Sequence, residues 1–161
     1  MYYSYIDSPI GPLLVSGDEH QLQGLFFSTG AKARGAGEGW LRSDKRFSGV
    51  AEQLKEYFAG ERRQFDLNLA LRGTEFRLAV LAALQRIPFG ETRSYLEIAQ
   101  EIGNPKAVRA VGAANGNNPI ALIIPCHRVI GSNGSMTGFG GGLDTKRYLL
   151  DHEARHSGLF A

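Results

Sequence analysis

Cys126 and His127 are the residues with the clearest capacity for chemistry: the only cysteine of the chain and the imidazole beside it. They lie in NPIALIIPCHRVI (118–130), where a run of five apolar residues leads into Pro125, so the thiol sits at the end of a buried segment. A free cysteine most often serves as an inert small hydrophobe. It becomes a nucleophile when a base lowers its effective pKa, and an imidazole oriented by a carboxylate is the usual partner. Neighbouring side chains of an extended segment point apart, so His127 needs a bridging water or a kink at Pro125 to reach the thiol. A polar turn, NGNNP at 115–119, stands just before the segment. On the dipeptide alone, the inert and the nucleophilic readings both stand.

The elements that must position this pair fall into two halves of different texture. YYSYI, LLVSG and QLQGLFF read as short strands, separated by the turn clusters DSPIGP and GDEH. Residues 28–46, with Gly30, Gly35, Gly37 and Gly39 among lysines and arginines, read as a mobile surface loop. Val50, Leu54, Tyr57 and Phe58 have helical spacing and Gly60 stops that helix. Phe65, Leu67, Leu69 and Leu71 alternate as in a half-buried strand. The expected architecture is α+β: an amino-terminal sheet-and-helix lobe over 1–72 and a helical lobe over 73–161.

In the second half, Thr74 caps a helix that turns Phe76, Val80, Leu84 and Ile87 to a core, and Pro88 with Gly90 ends it. Ser94 to Glu97 has capping-box spacing, with Leu96, Ala99 and Ile102 as the buried stripe of the next helix. Gly103 stops it, and Asn104-Pro105 starts another as N-cap and first helical residue. This spacing fits a helix-turn-helix or a plain helical hairpin equally. In PKAVRAVGAANG (105–116), Ala107, Val108 and Val111 pack inward and Lys106 and Arg109 project. The rest is Ala110, Gly112, Ala113 and Ala114, a surface that lets a nucleic-acid backbone approach closely or lets another helix pack tightly. A last helix spans about 144–156, with Leu149 and Leu150 apolar and Glu153 one turn on.

Composition bounds the function. The chain has 161 residues, 43% apolar and 21% charged, enough for one compact domain or two small lobes on a shared core. A net charge of +2 is too small for a polycationic coat, although a local basic patch remains open. One cysteine excludes an intramolecular disulfide and a cysteine-based zinc finger. No run of eighteen apolar residues spans a membrane, and MYYSYIDSPIGPLLV lacks the basic start of a secretion signal. The expectation is a soluble cytoplasmic protein.

PCHRV (125–129) resembles the central motif of the O6-alkylguanine-DNA alkyltransferases, which repair alkylated bases. GTEFRLAVLAALQRIPFGETRSY, NPKAVRAVGAANGNNPIALIIPCHRVI, TGFGGGL and KRYLLDHE resemble further family blocks in the right order, and SPIGPLLVSG resembles the amino-terminal lobe. The similarity covers nearly the whole chain. It implies a ribonuclease-H-like first lobe and a helix-turn-helix whose second helix lies in the minor groove of double-stranded DNA. It also implies base flipping and one irreversible transfer of the alkyl group from guanine O6, or O4-methylthymine, to the protein's own thiol. By resemblance, Cys126 is the acceptor, His127 the base acting through water, and Glu153 the carboxylate that orients the imidazole. Asn118 braces the turn before the active-site segment. Arg109 fills the gap left by the flipped nucleotide and Tyr95 helps rotate the 3′ phosphate, while Lys106, Ala110, Ala113, Ala114 and Arg128 complete the DNA-binding set. The loop SMTGFGGG (135–142), with Ser135, Met136, Phe139 and Gly140, covers the alkylated base.

Three departures stand out. Phe139 replaces a common tyrosine and loses its hydroxyl, Gly140 replaces serine or alanine and widens the pocket, and Leu81 stands where tryptophan is frequent. No cysteine in the first lobe can serve the structural zinc of some members, so neither metal nor cofactor is expected. The expected state is a monomer, with cooperative binding along DNA left open. Two rival readings compete with the transferase. A non-catalytic lesion binder of the alkyltransferase-like group lacks the acceptor cysteine that stands here. A cysteine hydrolase needs an oxyanion hole and leaves the small-residue helix unexplained.

Overall fold

Alternating aromatic or branched residues and short polar ones open the chain, with turn residues between the runs, and this pattern folds as hairpins. A computed structural model describes residues 1–28, 35–134 and 142–157. Strands β1 (Tyr2–Ile6), β2 (Leu13–Gly17) and β3 (Leu22–Phe27) pair antiparallel in succession. The two-residue β4 (Leu41–Arg42) adds parallel to β1, giving the order β3-β2-β1-β4. Gly11, at φ 96°, makes the left-handed step of the first turn. In the second, the Asp18 carboxylate accepts the N–H groups of His20 and Gln21, both at 2.8 Å. Leu13, Val15, Leu25 and Phe27 project to one face and are buried with Val50, Leu54 and Tyr57 of α1 (Ser48–Phe58).

Residues 65–71 keep the expected alternation, with Phe65, Leu67, Leu69 and Leu71 half-buried against the core, but they are not a strand. Among the described residues only Leu22 forms a β-bridge to them, donating to Asn68 O at 2.8 Å and accepting from Ala70 N–H at 2.9 Å. The reason is competition for one edge. Further along β3, Leu25 N–H donates to Pro119 O at 3.0 Å and Leu25 O accepts from Ala121 N–H at 3.1 Å. The segment leading to the cysteine therefore hangs on the edge of the amino-terminal sheet.

The helical half follows its caps. Thr74 accepts from Arg77 N–H at 3.1 Å to start α2 (Glu75–Gln85), and Ser94 and Glu97 close a reciprocal capping box on α3 (Tyr95–Glu101). α4 (Val108–Gly116) and α5 (Leu143–Arg155) complete the half, with β5 (Arg93–Ser94) parallel to β6 (Val129–Ile130). Two expectations change. Leu96 is 38% exposed because the seven-residue α3 turns Ile98 inward in its place, beside the expected Ala99. α4 starts at Val108 and not at Pro105, because Ala107 N–H closes a turn on Asn104 O at 3.0 Å, leaving Lys106 in that turn. One buried core, from Leu13 through Leu84 and Val111 to Leu149, runs through both halves. Among the described residues, no helix is long and apolar enough to cross a membrane, and no three His, Cys, Asp or Glu side chains are placed to hold a metal.

Candidate active site

A polar brace holds the segment that carries the thiol. Asn118 is buried and uses both ends of its amide: Nδ2 donates to Ile124 O at 2.7 Å and Oδ1 accepts from Ile120 N–H at 3.0 Å. Between those points the chain makes a tight loop, with Ile123 N–H on Ala121 O at 2.8 Å and Ile124 N–H on Ile120 O at 3.0 Å. Leu122 at its centre has φ 72°, the only non-glycine residue in the left-handed region among the described residues. Such a conformation costs roughly 1–2 kcal/mol and persists only where its surroundings over-determine it. Here Leu122 is 1% exposed in the core. After Pro125 the backbone turns, and Cys126–Arg128 form one 3-10 turn closed by Arg128 N–H on Pro125 O at 3.0 Å.

Four ionisable groups of this site are buried against one another. Glu153, on α5, is 1% exposed and accepts from every side. Its Oε2 takes His127 Nε2 at 2.7 Å, Tyr57 Oη at 2.6 Å and an Arg128 terminal nitrogen at 3.0 Å; its Oε1 takes Arg128 Nε at 2.7 Å. Burial pushes the Glu153 carboxyl up, but the hydrogen bonds of His127 and Arg128 and the Arg128 charge outweigh it and hold the group well below the carboxylate range. Burial pushes His127 down and the adjacent Glu153 only partly offsets this, so the imidazole is neutral. A carboxylate acceptor at Nε2 puts the ring proton there and leaves Nδ1 with a free lone pair. That Nδ1 is buried with no hydrogen-bond partner among the described residues.

The Cys126 thiol is 5% exposed and burial raises its pKa, opposed by the Asn118 side chain, the Leu122 N–H and the Lys146 charge. Lys146, fully buried on α5, donates to Val129 O at 2.6 Å. A thiolate formed here meets a fixed cation and two donors, while the neutral thiol is favoured at rest.

The structure brings Cys126, His127, Glu153 and Asn118 into this one site. Arg128 is a correction: it was expected among the DNA-binding side chains, yet it is 6% exposed and spends its guanidinium on Glu153 and on Ile87 O at 2.7 Å. Phe89 lies under that guanidinium, 5.7 Å from the ring centre. On α4, Arg109, Ala110 and Ala113 are exposed and Ala114 is half-buried, while Lys106 is exposed in the preceding turn. Tyr95 is half-buried at the start of α3, and a methyl group placed on Gly112 would stand 3.9 Å from its ring. Ser135, Met136, Phe139 and Gly140 lie outside the described residues. Sequence reading missed Tyr57 and Lys146, since helical spacing marks one as core and the other as surface.

Comparison with known proteins covers almost the entire chain. Residues 1–71 match the model of the ribonuclease-like domain of 6-O-methylguanine DNA methyltransferase, and residues 75–155 match that of its DNA binding domain. A methylated-DNA–protein-cysteine methyltransferase of Methanosarcina acetivorans is 53% identical over 95% of this chain and 98% of its own. One from Mycolicibacterium paratuberculosis is 54% identical over 96% of this chain and 93% of its own. The crystal structure of Mycobacterium tuberculosis OGT in complex with DNA superposes with a TM-score of 0.91 at 51% identity, covering 97% of this chain and 94% of that one.

Proposed function

The chain belongs to the 6-O-methylguanine DNA methyltransferase family, and on that footing we propose that it repairs DNA by moving the methyl group of O6-methylguanine onto its own Cys126, once per molecule. Duplex DNA is its partner. The observation that carries the reading is the buried Cys126 followed in one short turn by His127, whose Nε2 is fixed on Glu153 at 2.7 Å. His127 Nδ1 takes the thiol proton through a water molecule, and the sulfur attacks the methyl carbon. The S–C bond forms as the C–O6 bond breaks, the electron pair passes into the guanine ring, and the ring is reprotonated to guanine. The product is a thioether with no acyl carbon for water to attack, so no second step frees the sulfur. Glu153 stabilises the imidazolium during the transfer, and Lys146 balances the thiolate.

The remaining assignments are part of the same proposal. The chain divides near residue 72 into a sheet lobe and a DNA-binding lobe, and it acts in the cytoplasm as a monomer. α4 enters the minor groove, where Ala110, Ala113 and Ala114 permit contact and Lys106 meets phosphate. Arg109 occupies the place of the flipped base, and Tyr95 guides the 3′ phosphate. Ser135, Met136, Phe139 and Gly140 line the pocket for the alkylated ring. Arg128 leaves the DNA-contact set and becomes the counter-charge that keeps Glu153 ionised.

The stoichiometry of transfer tests this reading. Duplex DNA carrying labelled O6-methylguanine leaves one label per protein molecule and then no more, and Cys126→Ala leaves none while keeping duplex affinity. Several turnovers per molecule, or transfer that survives Cys126→Ala, refute it.

A further inference from the structure

Tyr57 enters the site from the other lobe. It sits at the end of α1, 96 residues from Glu153 in sequence, and is fully buried. Its ring is fixed among Phe58, Phe65, Phe89 and His152, at centroid distances of 5.1, 5.5, 6.0 and 5.0 Å. Its backbone is fixed too, since His152 Nε2 bonds to Tyr57 O at 2.8 Å. The phenol therefore has no freedom to choose a partner, and it donates at 2.6 Å to Glu153 Oε2. That is the same oxygen that holds His127 Nε2.

A hydrogen bond to a carboxylate draws charge from the oxygen that accepts it. Donors that share one oxygen, here Tyr57, His127 and an Arg128 terminal nitrogen, therefore compete, and each weakens the hold on the others. We propose that Tyr57 is a positioning residue of the proton relay: by sharing Oε2 with His127 it lowers the pull of Glu153 on the imidazole proton, keeping His127 neutral with Nδ1 open to the thiol. This rests on the reading of Cys126 as acceptor and His127 as base.

The groups facing His127 support the direction. Among the described residues Glu153 is its one anionic neighbour; Arg128, in the same turn, and Lys146, on α5, are cations that disfavour an imidazolium. Cys126 adjoins it in the chain, and His152, next to Glu153, turns instead to the backbone of α1. Among the described residues, Tyr57 is the one neutral donor on the carboxylate from outside the helical half. A phenol buried beside a carboxylate also stays protonated, because burial and the Glu153 charge both raise its pKa. It donates at every pH the fold survives, so its effect on Glu153 is constant.

Tyr57→Phe removes the hydroxyl and keeps the ring. With His-selective 15N labelling, the His127 Nε2–H proton resonance moves downfield in the variant, because Glu153 Oε2 becomes a stronger acceptor. In single-turnover transfer from methylated duplex DNA, the acid-side midpoint of the rate rises by about one pH unit, since a hydrogen bond to a charged group is worth about as much as one pKa unit. Resonance and midpoint both unmoved overturn the proposal. So does a rate lowered evenly at every pH with no change in the resonance, the mark of a merely structural tyrosine. The resonance reads the relay whether or not a methyl group moves, so absent transfer by the unmodified protein counts against the function and not against Tyr57.

Discussion

Arg128→Met tests the assignment of that arginine most sharply. The substitution keeps volume and removes a guanidinium that holds Glu153 at 2.7 and 3.0 Å and Ile87 O at 2.7 Å. It leaves a carboxylate that is 1% exposed without its main counter-charge. Breaking one side of a buried pair costs about 3–5 kcal/mol, and the stranded Ile87 carbonyl falls within that range because its loss is not additive. For a domain of ordinary stability, about 5–15 kcal/mol, this is a large fraction of the total.

The cost has a pH signature. In the unmodified protein Glu153 titrates below its ordinary value of 4.5, so its contribution is present above that value and fades as the pH falls. Without Arg128 the carboxylate loses a counter-charge and two hydrogen bonds, so its pKa moves upward. The variant is then penalised most at neutral pH and recovers relative to its parent as the group takes up a proton. Urea unfolding at pH 7.5 and pH 5 reads both effects, with Arg128→Met/Glu153→Gln expected to regain much of the loss. A destabilisation below about 0.5 kcal/mol, within the range of ordinary surface substitutions, would refute the internal role. So would a gap that is the same at both pH values, or full stability with salt-dependent loss of DNA affinity.

Arg109→Ala weakens repair of duplex DNA far more than reaction with free O6-benzylguanine, and equal loss on the two substrates counts against an intercalating arginine. Gly112→Ala meets only the Tyr95 ring at 3.9 Å, so thermal stability holds or rises by up to about 1 kcal/mol from helix propensity while duplex affinity falls. Unchanged affinity by titration would remove α4 from the groove. Asn118→Ala abolishes two buried hydrogen bonds, leaving Ile120 N–H unpaired and Ile124 O with only the Cys126 N–H, a cost of about 2–4 kcal/mol seen in urea unfolding, with a slower single-turnover rate.

Local signals in the sequence carried furthest. The Thr74 cap and the Ser94–Glu97 box stand where their side chains demand, because a cap is decided by three or four consecutive residues. The Cys-His dipeptide alone left an inert and a reactive reading open, and the resemblance of PCHRV and the blocks around it carried the second. What failed depended on distant partners. The alternation at 65–71 implies a strand, but the edge of β3 was also claimed by Pro119 and Ala121, some fifty residues away. β4 pairs through two residues with a strand nearly forty positions earlier, which no pattern in Leu41–Arg42 announces. Arg128 carries a charge that reads as exterior, and only Glu153, 25 positions on, turns it inward. Tyr57 has the spacing of a core residue and is one; its hydroxyl makes it more, and periodicity is blind to a hydroxyl.

The attachment of residues 119–121 to β3 has a consequence for the protein's behaviour in a crowded cell. A strand edge with free N–H and C=O groups is a template for pairing with other chains, and natural sheets cover or blunt such edges. Here the cover is the stretch of backbone that leads to the cysteine. Lifting it away would bare Leu25 and its neighbours to intermolecular pairing. A substitution that freed residues 119–121 from β3 would therefore expose a pairing edge and loosen the segment that carries the thiol at the same time.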